Sequence, residues 1–200
     1  DNVISAISDV GVSFLFAPAW HKSLINLAPI RKSLGIRTIF NQLGPLVNPL
    51  RPDAQVLGVA TEDLLEPMSE ALKKLGMKRA IVVNGFGGLD EASLQGRNKL
   101  VYVEQGKLRY DSIDIKDFGL ENSNNIELTV GEDSNNQDIF ESVLKGNGKA
   151  SHLNVVALNT ALVLWAAGIE FNLKDGFQNS MRCIKSGESW IKFKKLRDYL

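Results

Sequence analysis

Gln55-Val-Leu-Gly-Val-Ala60 and Arg79-Ala-Ile-Val-Val-Asn84 are two short apolar runs, and residues 63–75 between them repeat apolar side chains at helical spacing until Gly76 stops them. Two strand-length runs joined through one amphipathic helix make a βαβ unit, whose strands lie parallel because the crossover carries the chain back to the same end of the sheet. That unit places the chain in the α/β class.

Outward from it, helical and strand patterns continue to alternate, as in a layered sheet rather than a bundle or sandwich. Upstream, the opening Asp1-Asn-Val-Ile-Ser-Ala-Ile-Ser-Asp reads as an amphipathic helix, residues 12–16 as a short strand entering Ala17-Pro18, and residues 22–34 as a helix with Leu24, Leu27, Ala28 and Leu34 on one face. Downstream, Leu100-Val-Tyr-Val-Glu and Lys107-Leu-Arg-Tyr flank Gln105-Gly106, a hairpin signal, expected to lie away from the chemistry. Residues 155–167 are apolar except for Asn159 and Thr160, which predicts a helix buried on most sides, capped by Ser151 or Asn154 and stopped by Gly168. His152, at its start, reads as exposed. Residues 174–200 read as two helices broken near Ser186-Gly187, the second carrying a solvated set of Lys192, Lys194, Lys195 and Arg197. Residues 121–125, 131–137 and 145–150 are polar connections. The fold expected is one α/β domain over residues 1–200: a central, mostly parallel sheet with flanking helices and an antiparallel hairpin.

Composition narrows the function. With 200 residues and 44% apolar content the chain is large enough for a sizeable core. Lys plus Arg equals Asp plus Glu at 23 each, so no overall positive field recruits nucleic acid or an anionic membrane. The single Cys183 has no partner for an internal disulfide, which suits a reducing cytoplasm, and it reads as a small buried apolar group. No apolar run approaches the length of a membrane span.

Two segments carry residue types that packing does not require. The run from Arg31 through Arg37, Asn41 and Gly44-Pro45 to Asn48-Pro49 crowds guanidinium forks, amides, glycine and proline together. Arg31 and Arg37 can each grip a carboxylate or phosphate at two points, while Gly44-Pro45 and Asn48-Pro49 are expected to break regular structure and shape a binding wall. Arg37, Asn41 and Asn48 could equally hold the loop together. The second segment, Gly85-Phe-Gly87-Gly88-Leu-Asp90-Glu91, follows directly on a strand, so two acids sit beyond its carboxyl end, where open α/β sheets place ligands. Adjacent carboxylates suit a hard cation such as Mg2+, which takes oxygen ligands and bridges to phosphates; the competing reading puts them in the first turn of a helix.

Phe16-Ala-Pro18-Ala-Trp20-His21, the Arg31 to Pro49 run and Gly88-Leu-Asp90-Glu91 occur in the order that marks the anthranilate phosphoribosyltransferases of tryptophan biosynthesis, and the chain resembles that family over nearly all its length. The resemblance implies a Mg2+-dependent glycosyltransferase acting on phosphoribosyl pyrophosphate and anthranilate. It implies that Asp90 and Glu91 hold the metal with the donor's pyrophosphate. Arg31 would anchor the anthranilate carboxylate, with His21 in contact nearby and Pro45 in the wall against the ring. The chain departs from the family's pattern at Asn84, Gly87 and Trp20. The family's amino-terminal helical domain, through which its members pair as homodimers, and its Lys-His-Gly-Asn-Arg donor loop do not occur in these residues. The chain therefore reads as a carboxy-terminal portion, with feeble or no turnover alone. Two other readings stay open: a pyrimidine nucleoside phosphorylase-like enzyme, betrayed by thymidine cleavage with phosphate, and a non-catalytic paralogue binding nucleic acid or protein, betrayed by salt-dependent oligonucleotide binding.

Overall fold

A computed structural model describes residues 2–20, 33, 40–129 and 135–200. In chain order the described elements are α1 (Asn2–Asp9), α2 (Ala17–Trp20), α3 (Phe40–Leu46), β1 (Ala54–Gly58), α4 (Leu65–Lys74), β2 (Arg79–Asn84), β3 (Asn98–Glu104), β4 (Lys107–Ile113), α5 (Asn136–Leu144), α6 (Ala150–Ala166), α7 (Leu173–Ser186) and α8 (Glu188–Tyr199). Short 3-10 turns cover Glu62–Leu64, Ile115–Phe118 and Asn125–Leu128. The chain divides into two compact units, one of Asp1–Pro52 with Lys192–Leu200, the other of Asp53–Ile191.

In the first unit, Ala6 and Val10 pack with Leu196 and Tyr199, and the Lys192 ammonium donates to the Val10 carbonyl at 2.8 Å. Residues 12–16 are not in a strand: among the described residues they pair with no ladder, and Val12, Phe14 and Phe16 are exposed. Gly44 and Pro45, expected to break regular structure, lie inside α3; the helix ends before Asn48-Pro49, where the Asn48 side chain accepts from the Leu50 N–H at 3.0 Å. The helix expected over residues 22–34 lies outside the described residues except for Ser33, which is helical.

The second unit holds the βαβ unit as expected. β1 and β2 run parallel, Ala54 opposite Arg79 through Gly58 opposite Val83, and α4 connects them. β3 and β4 add antiparallel to β2 in the order β1-β2-β3-β4, so the described sheet is mixed. Gln105 (φ 50°) and Gly106 (φ 72°) both take left-handed backbone, the geometry of a two-residue hairpin whose twist matches its strands.

Ile81 and Val83 enter one core with Leu158, Ala161, Leu162 and Trp165 of α6, all buried. Ala80 and Val82, on the opposite face by strand alternation, are also buried, and α4 packs against β2 with Leu65, Met68 and Leu72. The helix α6 is the spine of this core, but it begins at Ala150, five residues before its apolar run, with Lys149 at the cap position and neither Ser151 nor Asn154 capping it. Ser151 and His152 are consequently buried in its first turn, which corrects the exposure expected for His152. Val156 and Val163 leave one flank of α6 open. Gly168 (φ 72°) stops the helix and Gly187 (φ 74°) separates α7 from α8, both as expected. Cys183, expected in the core, is exposed on α7. The helix α5 lies between the two polar stretches and takes in Asn136 and Gln137, the last residues of the first of them.

The chain after β2 folds back over the end of β1. A methyl group added at Gly58 would sit 1.4 Å from the Asp90 carbonyl oxygen, so only a residue without Cβ fits there. Gly58→Ala should therefore destabilise the fold by about 1–3 kcal/mol or more, as an overpacked site whose obstacle is backbone. Equilibrium urea unfolding of the two proteins measures it, and equal midpoints would show that the loop does not rest on β1.

Candidate functional site

Asp90 and Glu91 are the two expected site residues that the structure brings together. They lie on an irregular loop between Asn84, the last residue of β2, and Asn98, the first of β3. Neither is in a helix, so the alternative of two acids decorating a helical first turn falls away. Both residues are exposed at the carboxyl end of the parallel β1–β2 pair.

The loop begins as a tight reversal. Gly85 and Leu89 form an isolated bridge, the Gly85 N–H donating to the Leu89 carbonyl at 2.8 Å, with Gly87 and Gly88 in left-handed backbone between them. Gly85 also lies under the next turn of the loop, since a Cβ there would stand 2.0 Å from the Glu91 carbonyl oxygen. Asn84 ties the ends of the two parallel strands together: its amide donates to the Val59 carbonyl at 2.7 Å.

Three further asparagines supply the hydrogen bonds that a regular element would otherwise provide. Asn98, wholly buried, accepts from the N–H groups of Phe86 (3.3 Å) and Ser93 (2.7 Å) and donates to the carbonyls of Ser93 (3.0 Å) and Gly96 (3.2 Å). Asn125 accepts from the Ser93 hydroxyl at 2.7 Å and donates to the Phe86 carbonyl at 3.2 Å. Asn159, from α6, accepts from the Ala92 N–H at 2.8 Å and donates back to the Ala92 carbonyl at 2.9 Å. The start of β3, expected to be remote from the chemistry, therefore holds the acid loop in shape. Asn159 was visible in the sequence as a polar break in an apolar helix, whereas Asn98 and Asn125 carried no such signal.

Electrostatically the site is a pair of like charges. The Glu91 carboxyl loses part of its hydration, and that loss together with the neighbouring Asp90 charge lifts its pKa above the usual carboxylate range. Among the described residues, no ion pair or hydrogen bond engages either carboxylate, whereas Glu62 and Lys99 at the same end of the sheet pair with each other. Two adjacent, unneutralised oxygen donors beside a tightly built backbone suit a hard divalent cation such as Mg2+, which takes one or two carboxylates and keeps water or phosphate oxygens in the rest of its shell. Among the described residues no cluster of three or more His, Cys, Asp or Glu exists.

Pro45 is an exposed residue of α3 in the first unit. Arg31, His21 and Arg37 lie outside the described residues, as does the side chain of Asn41.

The glycosyl transferase family, a/b domain, matches residues 1–190. The chain is 64% identical over 200 residues to the anthranilate phosphoribosyltransferase of Prochlorococcus marinus (strain AS9601), covering all of this chain and 58% of that protein, and 52% identical over 200 residues to that of Synechococcus sp. (strain CC9311), again 58% of its length. Its structure superimposes on the anthranilate phosphoribosyltransferase from Thermus thermophilus with a TM-score of 0.91 and 36% identity, covering 100% of this chain and 59% of that one. The Saccharomyces cerevisiae anthranilate phosphoribosyltransferase in complex with PRPP and Mg matches with a TM-score of 0.83 and 27% identity, over 98% of this chain and 57% of that one. The chain thus spans somewhat over half the length of the relatives it matches, and the resemblance read from its three motifs extends over all of it. On this evidence the chain belongs to the glycosyl transferase family, within its α/β domain.

Proposed function

We propose that the protein carrying this chain transfers the phosphoribosyl group of phosphoribosyl pyrophosphate to the amine of anthranilate, releasing pyrophosphate and forming N-(5-phosphoribosyl)anthranilate, in the cytoplasm and as a step of tryptophan biosynthesis. The observation that carries this reading is the exposed Asp90-Glu91 pair on a clamped loop at the carboxyl end of the β1–β2 pair, within a chain similar throughout to enzymes of that name.

Asp90 and Glu91 are the residues that would hold Mg2+. Bound there with the donor, the ion supplies positive charge to a departing pyrophosphate. The chain's own contribution is positional and electrostatic. The loop's backbone on either side of both acids is held before any ligand arrives, so little backbone reorganisation is needed on binding. Arg31 is assigned to the anthranilate carboxylate, which its planar fork can grip at two points, holding the aniline nitrogen ready for the sugar carbon. His21 contacts the same substrate and Pro45 forms part of the wall beside its ring. These three assignments rest on the family's motif. The reaction is a displacement at the sugar carbon and requires no covalent bond to the protein. The full-length protein is assigned as a homodimer.

Loss of anthranilate fluorescence in the presence of phosphoribosyl pyrophosphate, with and without Mg2+, measures the reaction in the full-length protein. Replacing the acid pair together, Asp90→Ala with Glu91→Ala, should lower Mg2+-dependent turnover by about 100-fold or more, since the departing charge loses its counter-ion. A double variant as fast as the parent protein at limiting Mg2+ would remove these residues from the metal site. Arg31→Ala should raise the KM for anthranilate by about 10- to 100-fold, the worth of a charged bidentate pair, and leave the donor's KM nearly unchanged. Equal rises in both would show that Arg31 does not discriminate the aromatic substrate.

A further inference from the structure

We propose that Asn159 is a positioning residue for Glu91: it touches no ligand, but fixes the peptide plane that aims the Glu91 carboxylate. The inference rests on the Mg2+ reading of the acid pair. Its ground is the two-point bond between the Asn159 amide and a single backbone residue, Ala92, whose N–H it accepts at 2.8 Å and whose carbonyl it donates to at 2.9 Å. Ala92 follows Glu91 directly and is wholly buried, and the Asn159 amide is the partner of both its N–H and its carbonyl. The N–H of Ala92 and the carbonyl of Glu91 belong to the same peptide plane. Asn159 holds one edge of that plane, and the opposite edge packs against Gly85.

Only a side-chain amide satisfies both groups at this length. A carboxylate would accept from the N–H but turn an oxygen toward the Ala92 carbonyl, and an apolar side chain would leave both groups without partners. Asn159 itself is held: its Nδ2 also donates to the Val155 carbonyl one turn back at 3.0 Å. The helix that carries it is anchored on both sides by Ala157, Leu158, Ala161 and Leu162, each fully buried. The acid loop is thus referred to a largely buried helix of the second unit. Asp90 is placed by a different contact, its carbonyl lying over Gly58, so Asn159 acts on the second acid of the pair and not the first.

The test is Mn2+ binding, followed by electron paramagnetic resonance, to the full-length protein in the presence of inorganic pyrophosphate. Asn159→Ala should weaken Mn2+ by about 10- to 100-fold, the usual consequence of removing a group that orients a metal ligand. In a Glu91→Ala background the same change should have almost no further effect, because the group it orients has gone. A role confined to stability would lower the urea midpoint while leaving the folded protein's Mn2+ affinity at its parent value, or would weaken it equally in both backgrounds; either result overturns the inference. Asp90→Ala serves as the control for the underlying reading: if it binds Mn2+ as tightly as the parent protein, the metal site itself is wrong and the Asn159 assignment falls with it. Amide exchange in the unaltered protein needs no variant to fold. The Ala92 N–H should exchange as slowly as the central amides of β2, and exchange at the rate of a free loop amide would also overturn the inference.

Discussion

A segment with no helix or strand to organise it, residues 85–97, has to hold two negative charges side by side, and it does so through side-chain amides. Regular structure satisfies backbone N–H and carbonyl groups automatically, but an irregular buried turn must find each partner separately or lose stability for every one it lacks. Asn98, Asn125 and Asn159 provide these partners from three different elements. An asparagine carries a donor and an acceptor on one short stem, so it can stand in for a strand neighbour. The remaining elements serve this loop in a traceable way: α6 presents Asn159, β3 begins with Asn98, and the turn at Asn125–Leu128 brings Asn125 to the Phe86 carbonyl.

Close packing completes what the amides begin. Gly58 and Gly85 let backbone approach backbone where any Cβ would collide, and the loop is thereby seated on the ends of β1 and β2. The core beneath is built from short apolar side chains on β2 and a largely buried α6, with the Trp165 ring edge-on to Tyr102 at 4.5 Å and the Arg79 guanidinium over it at 4.2 Å. Such a core deforms little. The rigidity matters because two carboxylates with no neutralising partner among the described residues repel each other, and a softer loop would relieve that repulsion by turning one of them away.

The architecture was legible wherever a period was strong. The βαβ unit, the Gln105-Gly106 hairpin, the stop at Gly168 and the break at Gly187 all follow from local rules: strand-length apolar runs, a left-handed pair at a two-residue turn, glycine after a helix. The misreadings arose where tertiary burial overrode local character. His152 and Ser151 look polar, yet α6 extends back through them and buries both. Cys183 looks apolar, yet its place on α7 faces outward. Residues 12–16 have strand composition but pair with no strand among the described residues, and Gly44-Pro45 continue a helix that their types would usually end. In the site, Asp90 and Glu91 stood out because paired acids after a strand have chemical meaning by themselves. The amides that hold them did not, since an asparagine's partner is set by the fold and leaves no spacing in the chain; Asn159 alone stood out, as a polar residue in an apolar helix.

The most direct test of this picture is diffraction at the manganese absorption edge from crystals of the full-length protein grown with Mn2+ and pyrophosphate. The anomalous signal should lie between the Asp90 and Glu91 carboxylates, with residues 85–97 in the backbone path described above and the Asn159–Ala92 bonds intact. A manganese site elsewhere, or a loop that rebuilds to reach the ion, would contradict the claim that this chain prepares its acid pair in advance.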